Sequence, residues 1–435
     1  MHVHILRSLC LFISWATISN ALMAQDAVEF LNGTKLEGKL LKIRTQDKNF
    51  DFQSVIGGKE VKRTYDYSQV HAVVIRNKRH ILTQKPTEQT AASSATIGLY
   101  PAGVTPRSRK EVTEKVEQAG RRLPSWYGTT QMNLPPKLDL SWPLKPKGQW
   151  NSSVNVGQFI WDRVNPNAGR WKQGIKLVHE CMNKHAHSEA LLQRDQQKLG
   201  TMYFTLLQDY EHAAYWLQKA NSQPSTPSGV HLAECYWRLG NREMAMELLS
   251  SSRLHFDAIK LFGDMGELDQ ALRLAERFRK SNAINEAFLN AGDACRKAGK
   301  LELAINYYND VLTNNAARNE QYKKRFRDRA SGAIEAINLF EKADVSKVAD
   351  GTYSDSSSAY NGKLDIEIRV GDGRIESLRV TNHKEKQYYA ALTDTPNQII
   401  SKQSIRGIDG TSGATITSQA IVHATAKALA QGTRN

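Results

Sequence analysis

Between about Gly169 and Phe340 the chain repeats one local event, and that repetition narrows the folds open to it. Four passages overlay: Asp209-Tyr210-Glu211-His212-Ala213, Gly240-Asn241-Arg242-Glu243-Met244-Ala245, Gly266-Glu267-Leu268-Asp269-Gln270-Ala271 and Gly299-Lys300-Leu301-Glu302-Leu303-Ala304. Each places a tight turn between helix-forming runs, then a small residue where two helices approach closely. Ala291-Gly292 suits the same close approach in the helix before the last turn. A lone helical hairpin cannot bury its apolar face, so such units stack. The expectation is a central α-helical repeat solenoid over residues 169–342.

The alanine spacing resembles that of tetratricopeptide repeats, with one short interval at Ala271. The resemblance implies a groove that takes a peptide or protein ligand. A purely structural solenoid carrying the other modules is the alternative, since repeats alone do not establish a function.

Upstream, Val28 to Leu82 reads as short strands. Asn32-Gly33, Gly57-Gly58 and Asn77-Lys78 punctuate runs such as Phe50-Asp51-Phe52 and Val70-His71-Ala72-Val73-Val74-Ile75. Strands this short and closely spaced predict a small β-barrel over residues 25–82, similar in outline to SH3-like barrels. Residues 83–109 are rich in Ser, Thr, Ala and Pro and read as a linker. Residues 110–168 hold Trp126, Trp142, Trp150 and Trp161 among Pro135, Pro136, Pro143 and Pro146. That is too aromatic for a disordered tether. An extended strap packed on the following helices is expected, with a glycan-binding platform as the lesser alternative.

At the C-terminus, Leu364, Ile366, Ile368 and Val370 alternate with Asp365, Glu367 and Arg369, the pattern of a half-buried strand. Gly371-Asp372-Gly373 supplies hairpin turn chemistry, and Ile375 to Val380 forms the return strand. Asn382-His383-Lys384 and a helical-looking stretch around Tyr388 to Leu392 follow. Then comes Asp409-Gly410-Thr411-Ser412-Gly413-Ala414-Thr415-Ile416-Thr417-Ser418, leading into a helix-forming run from Gln419 to Ala430. Ser418 or Thr417 is the expected N-cap. A phosphate beside this turn would meet unpaired N–H groups and the positive end of the helix dipole.

From the Asp350-Gly351-Thr352-Tyr353 opening through the hairpin and His383 to this turn, the chain resembles the FMN-binding domain family. Its members include the flavin-carrying subunits of sodium-pumping quinone reductases and Rnf-type complexes. The resemblance implies an α+β FMN-binding domain over residues 345–435. It also implies that a flavin transferase, using FAD and magnesium, joins FMN phosphate to Thr415. Asp409, Gly410, Ser412, Gly413 and Ala414 fill the other fixed positions of the attachment pattern. Many members carry Glu-Thr-Pro-Gly after the His, whereas this chain has Lys384-Glu385-Lys386-Gln387. Tyr353, Tyr360, Tyr388 and Tyr389 are candidates to stack on the flavin ring, or equally core and rim aromatics.

The whole is expected to be a multidomain α+β protein of 435 residues. Its formal net charge is +15, but the basic residues are dispersed and no nucleic-acid signature accompanies them. Arg7, the apolar run Leu9 to Ile18 and the small residues to Ala24 read as a signal peptide over residues 1–24. That predicts export to the periplasm or cell envelope. Beyond Cys10, the cysteines Cys181, Cys235 and Cys295 are an odd set without CxxC and read as buried small hydrophobes. His179, Glu180, Cys181, His185 and His187 fail the H-E-x-x-H spacing, so a solvated helix end is expected rather than a metal site.

No G-x-G-x-x-G, Walker loop or nucleophile elbow appears, so no catalytic residue is assigned. The sequence reads as an exported electron-transfer carrier of covalent FMN whose repeats dock a redox partner protein. The alternative is an envelope scaffold with a non-flavinylated C-terminal domain.

Overall fold

The computed structural model describes residues 26–30, 35–56, 59–67, 70–75, 78–83, 100–101, 103–146, 148–386, 390–408, 410–411 and 414–433. The expected signal peptide, residues 1–24, and residues 84–99 of the expected linker lie outside them. The chain divides into two compact units, residues 1–95 and 96–435.

The first unit is an antiparallel sheet. Its strands are β1 (Asp26–Phe30), β2 (Lys35–Arg44), β3 (Asn49–Ile56), β4 (Lys59–Asp66), β5 (Val70–Ile75) and β6 (Lys78–Ile81), in the order β4-β3-β2-β1-β5-β6. Val28, Phe50, Phe52, Val70 and Val73 form its core, with Leu36, Leu40 and Tyr65 packed against them. Arg44 donates to both oxygens of Asp51, at 3.1 and 2.7 Å, across the β2–β3 pair. The outer strands β4 and β6 do not pair with each other among the described residues. The strands expected from the turn spacing are present, and they form an open ladder without the closing pair that a barrel needs.

The second unit begins with a docked segment. Arg107 N donates to Gly240 O at 2.8 Å, and Asn241 Nδ2 donates to Arg107 O at 2.9 Å. Helix α1 (Arg109–Arg121) opens the region expected to be an extended strap. Its cause is local: Ser108 and Glu111 make a reciprocal capping box, and Val112 and Val116 are buried. The following residues run irregularly to Asn155 and then into a short helical turn, Val156–Phe159. Trp142 is buried with the Arg194 guanidinium 3.6 Å over its ring, so packing is the role of this tryptophan. Trp150 is exposed, and its indole donates to Asp162 at 2.7 Å.

Helix α2 (Trp171–Lys184) precedes four helical hairpins: α3/α4 (Glu189–Met202, Tyr210–Lys219), α5/α6 (Pro227–Arg238, Arg242–Leu249), α7/α8 (Asp257–Asp264, Leu268–Arg277) and α9/α10 (Ile284–Lys297, Leu301–Thr313). Gly240, Gly266 and Gly299 turn the last three hairpins at φ +94°, +80° and +72°. In each, the next residue's N–H reaches back to the helix, as Lys300 N does to Cys295 O at 2.8 Å. Ala213, Ala245, Ala271 and Ala304 are fully buried, as the overlay predicts. At Gly292 a Cβ would lie 2.3 Å from the Tyr308 ring, so α9 and α10 touch where only glycine fits.

The expected solvated helix end at the close of α2 is solvated in part: Lys184 and His187 are exposed, whereas His179, Cys181 and His185 are buried. His179 stands among Tyr127, Tyr203 and Trp216, and burial pushes its imidazole down to about 4. His185 Nδ1 lies 2.5 Å from Asp195 Oδ2, with Arg194 Nε donating to the other oxygen at 2.7 Å. The strap and α3 cover this end, which spacing along one helix could not reveal. Cys181, Cys235 and Cys295 are buried and free.

Helix α11 (Glu320–Asn338) links the hairpins to the C-terminal sheet, β7 (Gly351–Ser358), β8 (Lys363–Gly371) and β9 (Arg374–Asn382), in the order β7-β8-β9. Leu364, Ile366, Ile368 and Val370 are buried in alternation, and Asp372 and Gly373 both take positive φ in a two-residue turn. Helices α12 (Ala391–Lys402) and α13 (Thr415–Gln431) complete the region. Helix α13 is buried nearly all round, packing on β7 and β8, on α11 and on α12. The second unit therefore has one continuous core running from Val112 to Leu429. Among the described residues no helix is long and apolar enough to cross a membrane.

Candidate functional site

The turn before α13 has a different cap from the expected one. The helix starts at Thr415, and Ala414, which stands as N-cap, makes no side-chain bond. Ser418 and Thr417 lie inside the first turn and serve the loop instead. Thr411 N donates to Ser418 Oγ at 2.9 Å, and Thr417 Oγ1 donates to Glu385 Oε2 at 2.9 Å. Thr411 Oγ1 in turn donates to Asp394 Oδ2 at 2.7 Å. Among the described residues no side chain caps the N–H groups at the start of α13, the condition in which a helix end accepts an anion.

Among the described residues the hydroxyls of Thr411, Thr417 and Ser418 are all engaged, while that of Thr415 makes no hydrogen bond. Thr415 is half-buried and borders a cavity of about 450 Å³. That volume falls within the range of about 300–1,000 Å³ usual for cofactor clefts. Of the other sequence-assigned positions, Ala414 borders the same cavity. Gly410 lies where a Cβ would be 3.4 Å from both Lys260 Cε and Thr415 Cγ2. Asp409, Ser412 and Gly413 lie outside the described residues.

The opposite wall comes from the hairpins. Helix α5 contributes Val230, His231 and Glu234, α7 contributes Phe256, Lys260 and Leu261 at and after its start, and α9 contributes Glu286 and Asn290. These fall three or four apart along each helix, so one face of each looks into the cavity. Burial raises the Glu286 carboxyl and lowers the His231 imidazole, and among the described residues Glu286 Oε2 and His231 Nδ1 have no partner. Arg329 of α11 also reaches the cavity and donates to Gln419 Oε1 at 3.0 and 3.2 Å. Gln419 Nε2 donates to Asp293 of α9, and Tyr308 Oη donates to the other Asp293 oxygen at 2.8 Å. A buried polar chain thus ties α13 to the hairpins.

The loop that departs from the family pattern has a structural task. Glu385 is buried and accepts from Asn361 N at 2.6 Å as well as from Thr417, so it joins β8's approach to the turn. Tyr360 lines the cavity beside it, with the Arg325 guanidinium 4.4 Å over its ring. Tyr353 packs at the other end of α13, against Gly432, far from Thr415. Tyr388 and Tyr389 lie outside the described residues.

Residues 359–430 match the FMN-binding domain family. The C-terminus is an FMN-binding domain. The match encloses Tyr360, Glu385 and Thr415 and supports a flavin-binding role with FMN as the cofactor. An uncharacterized protein of Treponema pallidum (strain Nichols) is 36% identical over 92 residues, which is 21% of this chain and 25% of that protein. The chain therefore spans about a quarter of that relative's length. No solved structure matches.

Lys260, Glu385, Asp293 and Arg329 were not singled out by the sequence. For Lys260 and Asp293 the legible signal is polar residues at helical spacing on the first helices of the hairpins, such as Lys260 with Asp264 and Glu286 with Asn290 and Asp293, while Glu385 shows only as part of the departing loop.

Proposed function

We propose that the chain is an exported flavoprotein of the cell envelope that carries FMN through a phosphate ester on Thr415 and passes electrons between partner proteins. The observation that supports this reading is the Thr415 hydroxyl, which among the described residues is unengaged at a helix N-terminus without a side-chain cap, on the edge of a cofactor-sized cavity. Thr411, Thr417 and Ser418 hold the turn in place and leave Thr415 as the oxygen available for esterification. A separate flavin transferase supplies FMN from FAD: the Thr415 oxygen bonds to the FMN phosphorus, its proton leaves, and AMP departs. Bound flavin supplies one- and two-electron chemistry, and the protein positions and tunes it. Glu286 and His231 are the residues placed to alter the charge of that environment. The helical hairpins also serve, on this reading, to dock the redox partner.

The test is co-expression with a flavin transferase in an exporting host. The expected product keeps flavin fluorescence through denaturing electrophoresis and shows the FMN mass on the peptide containing Thr415. Colourless protein of unmodified mass would leave a cell-envelope scaffold instead.

A further inference from the structure

Beside Thr415 a second, smaller cavity of about 20 Å³ runs between α7, α9 and α13. It shares Lys260 and Thr415 with the large cavity and adds Asp264, Asp293, Arg296 and Lys297 from the hairpins. The carboxylates here already have partners. Asp264 accepts from Lys297 Nζ at 3.1 Å and from Lys260, and Asp293 accepts from Tyr308 and Gln419. Arg296 differs. The residue is only 8% exposed and stands against Tyr308, and among the described residues its Nε and Nη1 have no hydrogen-bond partner. A buried guanidinium with orphaned N–H groups is costly unless an anion meets it. Around this cavity Lys260, Arg296 and Lys297 outnumber Asp264 and Asp293 among the described residues. The N-terminus of α13, which has no side-chain cap among the described residues, adds positive potential.

We propose that Lys260, Arg296 and Lys297 of the helical hairpins bind the FMN phosphate at Thr415, so that the hairpins are one half of the flavin site. The proposal rests on the reading of Thr415 as the flavin position and adds the residues that recognise its phosphate. Arg296 offers two N–H donors, Nε and Nη1, on different edges of its guanidinium, and either can make a charge-assisted contact to a phosphate oxygen. Lys260 and Lys297 line the same cavity and share the Asp264 carboxylate between them. The face of the hairpins that lines the cavity is thereby assigned to the cofactor, and a protein ligand would have to use another face.

Binding measured without the ester tests this apart from the covalent link. The full chain bearing Thr415→Ala is titrated with FMN and with riboflavin, which lacks the phosphate, and flavin fluorescence is followed. FMN is expected to bind at least about tenfold more tightly than riboflavin, the factor that one charge-assisted contact confers. Adding Arg296→Met should bring the two constants within about twofold, while Arg296→Lys should keep most of the gap. Lys260→Met on the neighbouring helix should narrow it independently, which covers the case in which Arg296→Met does not fold. A melting curve of the unloaded Arg296→Met protein checks that the variant is folded before its two constants are compared. Equal affinity for the two flavins, no binding of either, or a gap unchanged by Arg296→Met and Lys260→Met would each overturn the proposal. Failure of the covalent reading would show elsewhere, as an unmodified Thr415 peptide in the wild-type chain.

Discussion

The molecule contains two antiparallel sheets, and they solve the same burial problem differently. The six-stranded N-terminal sheet relies on its own side chains: five residues form its buried core, while Val55 and Ile81 remain 64% and 59% exposed. The three-stranded C-terminal sheet is smaller yet better covered. Leu364, Ile366, Ile368 and Val370 are all buried, because α13 lies across β7 and β8. That covering helix is also the element that starts at Thr415. In the C-terminal sheet, then, packing and site share a part, whereas the N-terminal sheet offers no comparable helix terminus among its described residues. A sheet closed by a helix gains a positive helix end at its edge, and this chain places the Thr415 hydroxyl there.

The largest expected effect sits at that shared part. Thr415→Ala should abolish the covalent flavin entirely while leaving the fold intact, read as loss of in-gel flavin fluorescence with an unchanged circular dichroism spectrum.

A paired truncation then asks whether the two sheets differ as described. Phe52→Ala in the N-terminal core and Ile368→Ala under α13 should each cost about 2–5 kcal/mol in urea unfolding. Only Ile368→Ala should also lower flavin loading, because it loosens the helix that carries Thr415. Equal loading in the two variants would break the comparison.

A pH series sharpens it. His423, buried in α13 near Arg296, Arg329 and Lys427, has its imidazole pushed down to about 3, first by burial and then by those cations. The unfolded chain takes up that proton below about pH 6.5, whereas the fold resists it until about pH 3. Stability from this group is therefore complete above pH 6.5 and declines by about 1.4 kcal/mol per unit as pH falls towards 3. His423→Gln should remove that slope from the unfolding of the second unit, measured by urea titration at pH 7 and pH 5. A slope identical in wild type and variant would show that α13 does not govern the acid response.

The smallest effects belong to the surface ion pairs of the two sheets. Arg79 pairs with Glu29 at 2.6 Å and Arg379 with Glu367 at 2.8 Å, both largely exposed. Arg79→Ala and Arg379→Ala should each change stability by no more than about 1 kcal/mol, and salt should erase the difference.

Much of this architecture was legible because it depends on short-range rules. The alternation from Leu364 to Val370 follows from the two-residue period of a strand, and it is buried as expected. The glycines at 240, 266 and 299 follow from the need for positive φ where one helix stops and the next begins. The capping box at Ser108 and Glu111 was equally local, but the prolines and tryptophans beyond it favoured an extended reading of the whole stretch. The cap of α13 was misplaced for a different reason. Ser418 and Thr417 are good capping residues, yet Thr411 N and Glu385 claim their hydroxyls, and Glu385 lies more than thirty positions upstream.

By itself the sequence determined most strands and hairpin helices and the flavin motif, since a strand period, a helix turn and the run ending at Thr415 each need only near neighbours along the chain. Only the tertiary structure decided what faces that threonine. Lys260, Glu286, Arg296 and Arg329 come from three helices separated from it by many tens of residues. They converge because stacked hairpins turn one face of each first helix towards α13, and local spacing does not encode what stands across a cavity.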